Sequence, residues 1–469
     1  MSLIDKFLGR PTGKKLRRAD GAGTVEPAAS VRPAMRSAER GAVKQVFPRF
    51  QSTAGDRLDP AMSDRLANVR MKLRSAYTPS QPVVDRRMFA GRTEVLTTLI
   101  RSIEDQRLHI VLYGDRGIGK TSLLHVLTQA AREARYIVIY CSCGVASDFE
   151  ETFRAVAGDI PLLFHSGFAP TATEAEQGGS LADLLPAGQL SPRLISDLFA
   201  KLTGTRVLVV LDEFDRCESA DFRRSIAELI KNLSDRSVRM QLVIAGVAAD
   251  LTELVEHIPS IRRNVFAMQL PKMSAAEIRY LVKNGEASTG VNFDDNALQF
   301  IVQVAHGSPY IASLISHHAG LAALDQGRLA VHGDNVAVAT VQALEEFRGR
   351  ITRHSQLMVE SLNDAAGTHP LGIMAGESLF TNGRFSTADI DRLYPNPAAA
   401  AAAKNEIRRL ATERTLIAPY EDEVTSGYQF LEESVAPYIW IASAKARFLQ
   451  SMTPNVAELA PRTVGGLKG

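Results

Sequence analysis

A glycine-rich octapeptide that follows an apolar run is the feature that most constrains how this chain folds. It matches the pattern GxxxxGK(S/T), and its sequence is Gly114-Asp115-Arg116-Gly117-Ile118-Gly119-Lys120-Thr121. The apolar run Leu108 to Tyr113 precedes it, and a helical pattern from Ser122 to Ala134 follows. Glycines let the backbone curl so that successive N–H groups point inward at an anion, and the positive end of the following helix adds to that attraction. This strand–loop–helix order predicts a loop that binds the phosphates of a nucleotide.

Two side chains at the end of the octapeptide have the chemistry that a triphosphate needs. Lys120 supplies a mobile charge for the β- and γ-phosphates, and the Thr121 hydroxyl is placed to ligate Mg²⁺. We therefore expect the nucleotide contacts to run from Gly114 through Ser122.

An unbroken apolar run that ends in carboxylates, Val207 to Arg216, forms a second motif. Such a run suits a strand that is buried on both faces of a parallel sheet. Ligands in open α/β sheets collect at the carboxyl ends of the strands, so these acids would emerge beside the phosphate loop. We expect Asp212 to bind Mg²⁺ and Glu213 to act as the base that orients an attacking water. Together the two motifs predict binding of ATP or GTP, with hydrolysis.

Length and composition exclude several other classes of protein. A chain of 469 residues is long enough for two or three domains, and its 45% hydrophobic content is that of a soluble globular protein. No stretch approaches the ~18 to 20 apolar residues of a membrane span, and Met1 to Arg10 is too short and charged for a secretory signal. The three cysteines, Cys141, Cys143 and Cys217, lack further partners for zinc. We expect buried, reduced thiols in a cytoplasmic protein.

The N-terminal arm, residues 1–84, is basic. Residues 1–74 contain 16 Lys and Arg against 7 Asp and Glu, so they carry +9, which leaves −7 for the rest of a chain with a net charge of +2. A basic arm attached to an acidic remainder of the chain favours contact with nucleic acid, anionic lipid or an acidic protein. Its composition predicts a largely disordered segment. Leu3 to Leu8 and Met62 to Tyr77 have the spaced apolar residues of short docking helices, although a solvated, poorly ordered chain is the favoured interpretation of both.

Strand and helix patterns alternate between residues 85 and 270. This alternation predicts a parallel α/β sheet with helices on both faces, the architecture of a P-loop NTPase core. One candidate strand lies in sequence between the phosphate-loop strand and the acidic strand, which is typical of the P-loop branch with an inserted strand and a catalytic glutamate. Residues 164–188 are rich in Gly, Ala and Pro and predict an irregular surface insertion. The candidate strands are Leu108–Tyr113, Tyr136–Cys141, Val207–Leu211, Leu242–Ala245 and Val265–Leu270.

Helical patterns dominate residues 271–350, which we expect to form a small lid. Ser274 and Glu277 are spaced as a capping box that opens the first lid helix. Asp294 or Asp295 is placed to cap the next helix. The segment His306 to Tyr310 then breaks the helix and restarts it.

Residues 351–450 have the order helix, helix, β-hairpin, which is that of a winged helix. A short helix is expected to start at Ser386, and Ala398 to Thr412 has strong helix propensity. Leu416–Tyr420 and Tyr428–Leu431 are the hairpin strands, and residues 451–469 are expected to be a flexible tail.

At three further positions the chain resembles the AAA+ ATPases of the initiator and STAND-like type, a group that includes the origin-recognition ATPases. Phe89 to Glu94 is similar to the FxGRxxE box, with the glutamate one position earlier, Leu211 to Asp215 is similar to the LDExD acidic motif, and Gly307 to Pro309 to the GxP motif of the lid. The resemblance implies that Phe89, Gly91 and Arg92 lie near the adenine, with Pro309 and Tyr310 approaching from the lid. It favours ATP over GTP, and no guanine-reading NKxD motif is present.

The chain departs from this group at two positions. Ala248 or Ala249 occupies the place of a polar sensor residue, and Tyr310 stands where many relatives have Arg. Both departures argue against fast hydrolysis, though not against binding. Arg262 and Arg263 lie where the group places an arginine finger that acts on a neighbouring subunit, which implies an ATP-dependent homo-oligomer. Surface charges, or phosphate contacts within the same chain, are equally favoured for this pair.

The winged helix raises the question of DNA binding. Lys404, Arg408 and Arg409 lie along one helix and suit contact with the backbone of double-stranded DNA, to which the basic arm would add phosphate contacts. Glu406, Glu413 and the acidic residues 421–423 of the expected wing argue against it. STAND-like proteins often use such domains for packing, so both possibilities stay open.

Two functional hypotheses follow. The favoured one is an ATP-dependent switch in which the lid closes over MgATP and the winged helix changes position on hydrolysis. Its target would be a DNA site or a protein assembly, in replication, transposition or defence. The alternative is a nucleotide-binding signalling or scaffold protein of the STAND-like type, with negligible turnover and no DNA binding.

Overall fold

The computed structural model describes residues 65–83, 86–168, 178–248, 261–362, 367–421 and 426–452. The predictions made for Leu3–Leu8, for most of the N-terminal arm and for residues 453–469 lie outside these ranges. Within them, every helix is too short or too polar to cross a membrane.

Five parallel strands form the central sheet, as the alternating pattern predicted. They are β1 His109–Tyr113, β2 Ile137–Ser142, β3 Val207–Asp212, β4 Met240–Gly246 and β5 Val265–Gln269. Their order across the sheet is β2-β3-β4-β1-β5. All five candidate strands are confirmed. The order matters for the site, because β1 and β3 lie on either side of β4 and all three end at the same edge.

Successive side chains along each strand point to opposite faces of the sheet, so the sheet divides the hydrophobic core into two layers. In β3, Val207, Val209 and Leu211 face one layer, whereas Leu208 and Val210 face the other. One layer is covered by α2 Thr93–Glu104 and α3 Lys120–Glu133. The other is covered by α4 Phe149–Gly158, α5 Pro192–Phe199 and α6 Ala220–Asp235. An unbroken apolar strand is what this two-sided burial requires.

The described part of the predicted insertion between residues 164 and 188 is irregular. Short 3-10 turns lie at Leu162–Phe164 and Leu181–Leu184, and Pro161 forms an isolated bridge with Ser180. Residues 169–177 lie outside the described ranges.

Four helices and a pair of two-residue strands form the lid. They are α7 Ala275–Thr289, β6 Asn292–Phe293, α8 Asp295–Ala305, α9 Pro309–Asp325, β7 Ala330–Val331 and α10 Gly333–Arg348. The capping box of Ser274 and Glu277 is confirmed, with both reciprocal hydrogen bonds present. Asp294 caps α8, and His306 ends that helix in the left-handed conformation, at a φ of 48°. The predicted break therefore falls at His306 and Gly307.

The winged helix contains the predicted helices and hairpin, plus elements that the sequence pattern did not indicate. Its elements are α11 Arg353–Ser361, α12 Pro370–Ser378, β8 Arg384–Ser386, α13 Thr387–Leu393, α14 Pro397–Glu413, β9 Ile417–Glu421, β10 Ser426–Phe430 and α15 Val435–Met452. The strand β8 joins the hairpin in a three-stranded antiparallel sheet of order β8-β10-β9. The core of the lid continues into these helices without interruption, and Trp440 Nε1 donates to the Val304 carbonyl at 2.7 Å.

Our preference for a solvated, poorly ordered chain is wrong for part of Met62 to Tyr77. Residues Arg65–Ala76 form helix α1, which packs on the lid. Leu73 and Tyr77 are fully buried there, at 0% and 1% exposure, and the Tyr77 hydroxyl donates to the Val282 carbonyl at 2.7 Å. A Cβ on Gly320 would lie 2.6 Å from Leu73, so the lid leaves room for this side chain only because it has glycine there. Such complementarity between distant segments has no local sequence signal.

Candidate functional site

The phosphate loop has the backbone shape that its glycines predicted. It connects β1 to α3, and Gly117 and Gly119 have φ values of 72° and 95°, in the left-handed region that favours glycine. Helix α3 begins at Lys120, so its first N–H groups and the positive end of its dipole point to the concave side of the loop. This geometry suits an anion.

Lys120 lies in the loop with little exposure. Its ammonium donates to the carbonyl oxygens of Gly114 and Asp115, at 2.7 and 2.8 Å. Burial lowers the pKa of Lys120 to about 8, and the nearby carboxylates of Asp215, Asp115 and Asp212 oppose this shift. Phosphate oxygens would replace the carbonyls as partners and stabilise the charged form.

Thr121 and Asp212 meet as the two motifs predicted. The Thr121 hydroxyl donates to Asp212 Oδ2 at 2.9 Å, and the Tyr140 hydroxyl donates to the same oxygen at 2.5 Å. Burial, with the hydrogen bond to Asp212, raises the pKa of Tyr140, so it stays a neutral donor. Tyr140 is a site residue that the sequence pattern missed, because its position depends on β2 lying beside β3.

The oxygens of Thr121 and Asp212 fit a magnesium ion. No group of three or more His, Cys, Asp or Glu side chains in the described ranges is arranged to hold a metal. Mg²⁺, however, commonly takes one or two protein oxygens and fills its other positions with water and phosphate. A hydroxyl and a carboxylate 2.9 Å apart beside the phosphate loop supply that pair.

Glu213 is more exposed than Asp212 and is held by two partners. The Ser142 hydroxyl donates to Glu213 Oε2 at 3.1 Å, and Arg216 forms an ion pair with the same oxygen at 2.9 Å. Its backbone is left-handed, with a φ of 55°, which is uncommon for a residue other than glycine. The carboxylate therefore lies at the mouth of the site, where it can reach a water molecule.

Asp215, for which the sequence predicted no role, fixes the end of the neighbouring strand. Its Oδ1 accepts from the Val247 amide at 2.8 Å, just after β4. Ala248, one of the two residues at the expected sensor position, is buried, and Ala249 lies outside the described ranges.

A cavity of about 740 Å³ opens over the phosphate loop. Its floor includes Arg116, Gly117 and the run Gly119–Ser122, and its walls include Phe89, Pro309 and Tyr310, all of which were predicted. The remaining predicted loop residues, Gly114, Asp115 and Ile118, shape the loop from outside the cavity. The sequence pattern did not indicate that the segment Thr78–Val83 forms part of the wall, where the Val83 amide donates to Ser122 Oγ at 3.1 Å.

Arg92 borders the cavity, but its guanidinium binds the protein backbone. Nη1 donates to the Ile118 carbonyl at 2.5 Å and Nη2 to the Pro271 carbonyl at 2.9 Å. Its amide donates to Glu277 Oε1 at 2.9 Å, and a Cβ on Gly91 would lie 2.8 Å from that oxygen. Burial lowers the pKa of Arg92 to about 10. Gly91 and Arg92 thus connect the phosphate loop to the start of the lid.

The winged helix closes one side of the cavity, which the sequence did not indicate. Asp115 Oδ1 accepts from the Asn382 amide at 2.6 Å, and Arg116 forms an ion pair with Glu433 at 2.6 Å. Both Asn382 and Glu433 line the cavity. Asp115 and Arg116, the first two of the four variable positions of the motif, therefore contact the third part of the chain.

Arg262 and Arg263 lie far from the phosphate loop of their own chain. Both are exposed and precede β5, whose Val265 pairs with His109 and whose Gln269 pairs with Tyr113. Since the loop follows the other end of β1, the strands separate it from these arginines by roughly 15 Å at ~3.3 Å per residue. This position disfavours phosphate contacts within one chain.

The cations of α14 proposed for DNA binding already have protein partners. Lys404 pairs with Asp391 at 2.6 Å, and Arg409 pairs with Glu406 and Glu413 at 2.7 and 2.6 Å. Arg408 donates to Asn405 Oδ1 at 3.3 Å. A DNA phosphate would have to compete with acids that are already in place.

The three cysteines and His318 have ordinary surroundings. Cys143 and Cys217 are buried and Cys141 is half-buried, and all three are free thiols. Burial raises the pKa of Cys143 to about 12, so this thiol is unreactive. His318 pairs with Glu346 at 2.7 Å.

Comparison with family models gave a match over most of the chain. The model of the family described as Novel STAND NTPase 1 matches residues 81–425. Cdc6p from Pyrobaculum aerophilum is 15% identical, with a TM-score of 0.41, and the alignment covers 81% of this chain and 98% of that chain. The Orc1 protein of Aeropyrum pernix, solved in complex with DNA, is 15% identical, with a TM-score of 0.41 and coverages of 80% and 97%.

A Walker-type ATPase of Pyrococcus abyssi is 15% identical, with a TM-score of 0.43, and the alignment covers 77% of this chain and 98% of that chain. No curated protein gave a match.

Proposed function

Since this chain belongs to the Novel STAND NTPase 1 family, we propose that it binds ATP with Mg²⁺, hydrolyses it, and uses the nucleotide to change the position of its winged helix. The observation that carries the proposal is the meeting of Lys120, Thr121 and Asp212 at one edge of the sheet. These three groups supply a phosphate charge and two Mg²⁺ ligands within a cavity of about 740 Å³.

Each residue has a distinct role in the proposed reaction. Lys120 and the amides of the loop bind the β- and γ-phosphates, while Thr121 and Asp212 would hold Mg²⁺. A bound Mg²⁺ neutralises charge on the phosphate that is transferred. Glu213 orients the attacking water and accepts its proton, and Ser142 and Arg216 set the direction of its carboxylate.

Single-turnover hydrolysis in a Glu213→Gln variant tests the enzymatic part of this proposal. We expect the rate to fall about 10²-fold or more, because the amide cannot accept a proton. Glu218→Gln, at an exposed position in the turn before α6, is the matched control and should retain the wild-type rate. Equal background rates in the wild type and Glu213→Gln would favour the scaffold with negligible turnover.

Nucleotide affinity in a Lys120→Ala variant tests the loop assignment under either hypothesis. We expect binding to be lost, because this change removes the main positive charge that faces the phosphates. Retained affinity would contradict the assignment of Lys120. Competition between ATP and GTP in the wild type tests base preference, for which the resemblance of Phe89–Glu94 to an adenine-side box favours ATP.

The contact between the loop and the winged helix suggests how nucleotide would move that domain. Arg116 lines the cavity and is paired with Glu433, so the phosphates of a nucleotide compete with Glu433 for the same guanidinium. A triphosphate also places negative charge beside Asp115, whose carboxylate holds the Asn382 amide. ATP therefore weakens both contacts.

Hydrogen exchange at Asn382 measures this effect. We expect the Asn382 amide to exchange faster when MgATP is bound to Glu213→Gln, which should retain ATP without hydrolysing it. Saturation with MgADP should change the rate less. An exchange rate that is the same in all states would contradict the switch while leaving ATP binding intact.

DNA binding through α14 is the weaker proposal for the target, because Lys404, Arg408 and Arg409 have local partners. An anisotropy titration of double-stranded DNA across salt concentrations tests it, since each phosphate contact adds nearly one unit to the salt slope. Replacement of all three residues by Gln should flatten the slope if they hold phosphates. Absence of binding at low salt would favour a protein partner.

A further inference from the structure

A second cavity, of about 770 Å³, lies at the interface between the lid and the winged helix. It is formed by the turn that starts the lid, the end of α8, and the helices α12 and α15. Its size is within the ~300–1,000 Å³ of typical small-molecule sites. Met273 is the one described residue that lines both this cavity and the nucleotide cavity.

Positive groups face this second cavity. Lys272 and Arg447 line it from opposite elements, the turn before α7 and the helix α15. Helix α7 begins at its wall with Ser274 and Ala275, and Ser274 and Glu277 cap its first turn. The one acid in the lining, Glu377, is paired with Arg392 at 2.7 Å. Lys272 and Arg447, whose Nη1 also donates to the Gly367 carbonyl at 3.1 Å, therefore leave the lining with a net positive charge.

His306 adds a buried nitrogen without a hydrogen-bond partner. Its Nε2 is enclosed, and no described residue forms a hydrogen bond with it; Glu377 Oε1 is 3.8 Å away. Burial, with Lys272 nearby, lowers the pKa of His306, so the ring is neutral at pH 7. Because this nitrogen is enclosed, His306 offers the cavity an uncharged ring wall rather than a hydrogen bond from Nε2.

An aromatic wall completes the cavity. Trp440 lies in the lining with its ring centroid 4.8 Å from that of His306, and the Arg447 guanidinium is 4.9 Å from the Trp440 ring. Ile373 and Val302 add aliphatic surface. Aromatic and aliphatic walls with a few convergent polar groups are typical of sites for small organic molecules.

We propose that this cavity binds a small aromatic anion, a carboxylate or phosphate carried on a planar ring. The ring packs against the part of Trp440 that remains exposed, 9% of that residue, while the anionic group lies between Lys272 and Arg447. The site is separate from the nucleotide cavity, and binding there does not require nucleotide.

The single tryptophan of the chain makes this site directly observable. Protein labelled with 5-fluorotryptophan has one ¹⁹F resonance, from Trp440, in the wall of the cavity. We expect phenyl phosphate and benzoate to shift this resonance with saturation, and the uncharged benzamide to bind about tenfold more weakly, since it lacks the charged hydrogen bonds. Saturating MgADP, for which we expect the smaller change in the contacts of the winged helix, should leave the phenyl phosphate titration unchanged.

Two variants test where the anionic group of the ligand binds. Lys272→Gln removes one positive charge and Gln303→Glu adds a negative one to the lining, and each should weaken benzoate by several-fold while leaving ATP affinity unchanged. Lys231→Gln, on the exposed side of α6, is the matched control and should bind as the wild type does.

Three results would overturn the proposal. They are a resonance that none of the probes shifts, equal affinities for benzoate and benzamide, and a shift that MgADP abolishes but Lys272→Gln and Gln303→Glu leave intact. The last would place the probe in the phosphate loop.

Discussion

Lys120 has a pKa that makes nucleotide binding sensitive to mild alkali. Its pKa is about 8 without a ligand, because burial disfavours the charge, and bound phosphates raise it. Above pH 8 the free protein therefore loses a proton that the complex retains, so binding must take up a proton. We expect the affinity for ATP to be constant below pH 7 and to fall by up to about tenfold per pH unit above pH 8. Titration calorimetry at several pH values measures this.

Lys120→Arg is the control for that pH dependence, since a guanidinium stays charged throughout the range. Its affinity, whatever its absolute value, should not fall in this way between pH 7 and 9. The same decline in this variant would assign the effect to another group.

A substitution of Arg92 distinguishes a role in positioning the phosphate loop from a direct contact with the nucleotide. Arg92→Met should lower the free energy of unfolding by about 2–3 kcal/mol, because the carbonyls of Ile118 and Pro271 lose their donors. Urea unfolding measures this, with Arg101→Met on the exposed face of α2 as the matched control. Unchanged stability with a lost affinity for ATP would instead place Arg92 on the nucleotide.

At the scale of elements, α1 is the clearest case of a helix that depends on its neighbours. Leu73→Ala should destabilise the protein by about 2–5 kcal/mol, because a fully buried leucine leaves a cavity against Gly320. Met71→Ala on the outer side of the same helix, where Met71 is 48% exposed, should have little effect. Calorimetric unfolding of both variants checks the difference. Equal effects would mean that α1 does not dock on the lid as described.

At the scale of the whole molecule, the position of Arg262 and Arg263 bears on assembly. Because both lie at the opposite end of the sheet from the loop of their own chain, we expect Ala at both positions to leave the affinity for ATP within about twofold of the wild type. A tenfold loss in a binding titration would contradict this placement.

Mixing two inactive variants extends that measurement to the oligomer. If the arginines act on a neighbouring subunit, the Arg262→Ala, Arg263→Ala double variant regains hydrolysis when mixed with Glu213→Gln, because some interfaces then contain one intact glutamate and one intact arginine pair. Sedimentation with and without MgATP reports the assembly itself. Full activity of the double variant alone would identify Arg262 and Arg263 as surface charges.

The sequence by itself determined the elements whose signals are local. The glycines and Lys120 of the loop, the apolar run before Asp212, the Ser274 capping box and the helix-forming alanines of α14 each act within a few residues, so their spacing was enough to predict five strands and the main helices. The meeting of Thr121 with Asp212 also followed, because parallel strands end at one edge of their sheet.

Only the tertiary structure decided which distant segments touch. Tyr140 reaches Asp212 because β2 lies beside β3, Leu73 is buried because the lid has a glycine opposite it, and Asn382 reaches Asp115 because the winged helix folds back over the loop. The charge of α14 was plain from its sequence, yet the pairing of Lys404 with Asp391 required the packing of α13 beside it. The physical reason is the same in each case: burial and pairing between segments far apart in the chain depend on how whole elements pack, and no local pattern of residues specifies that.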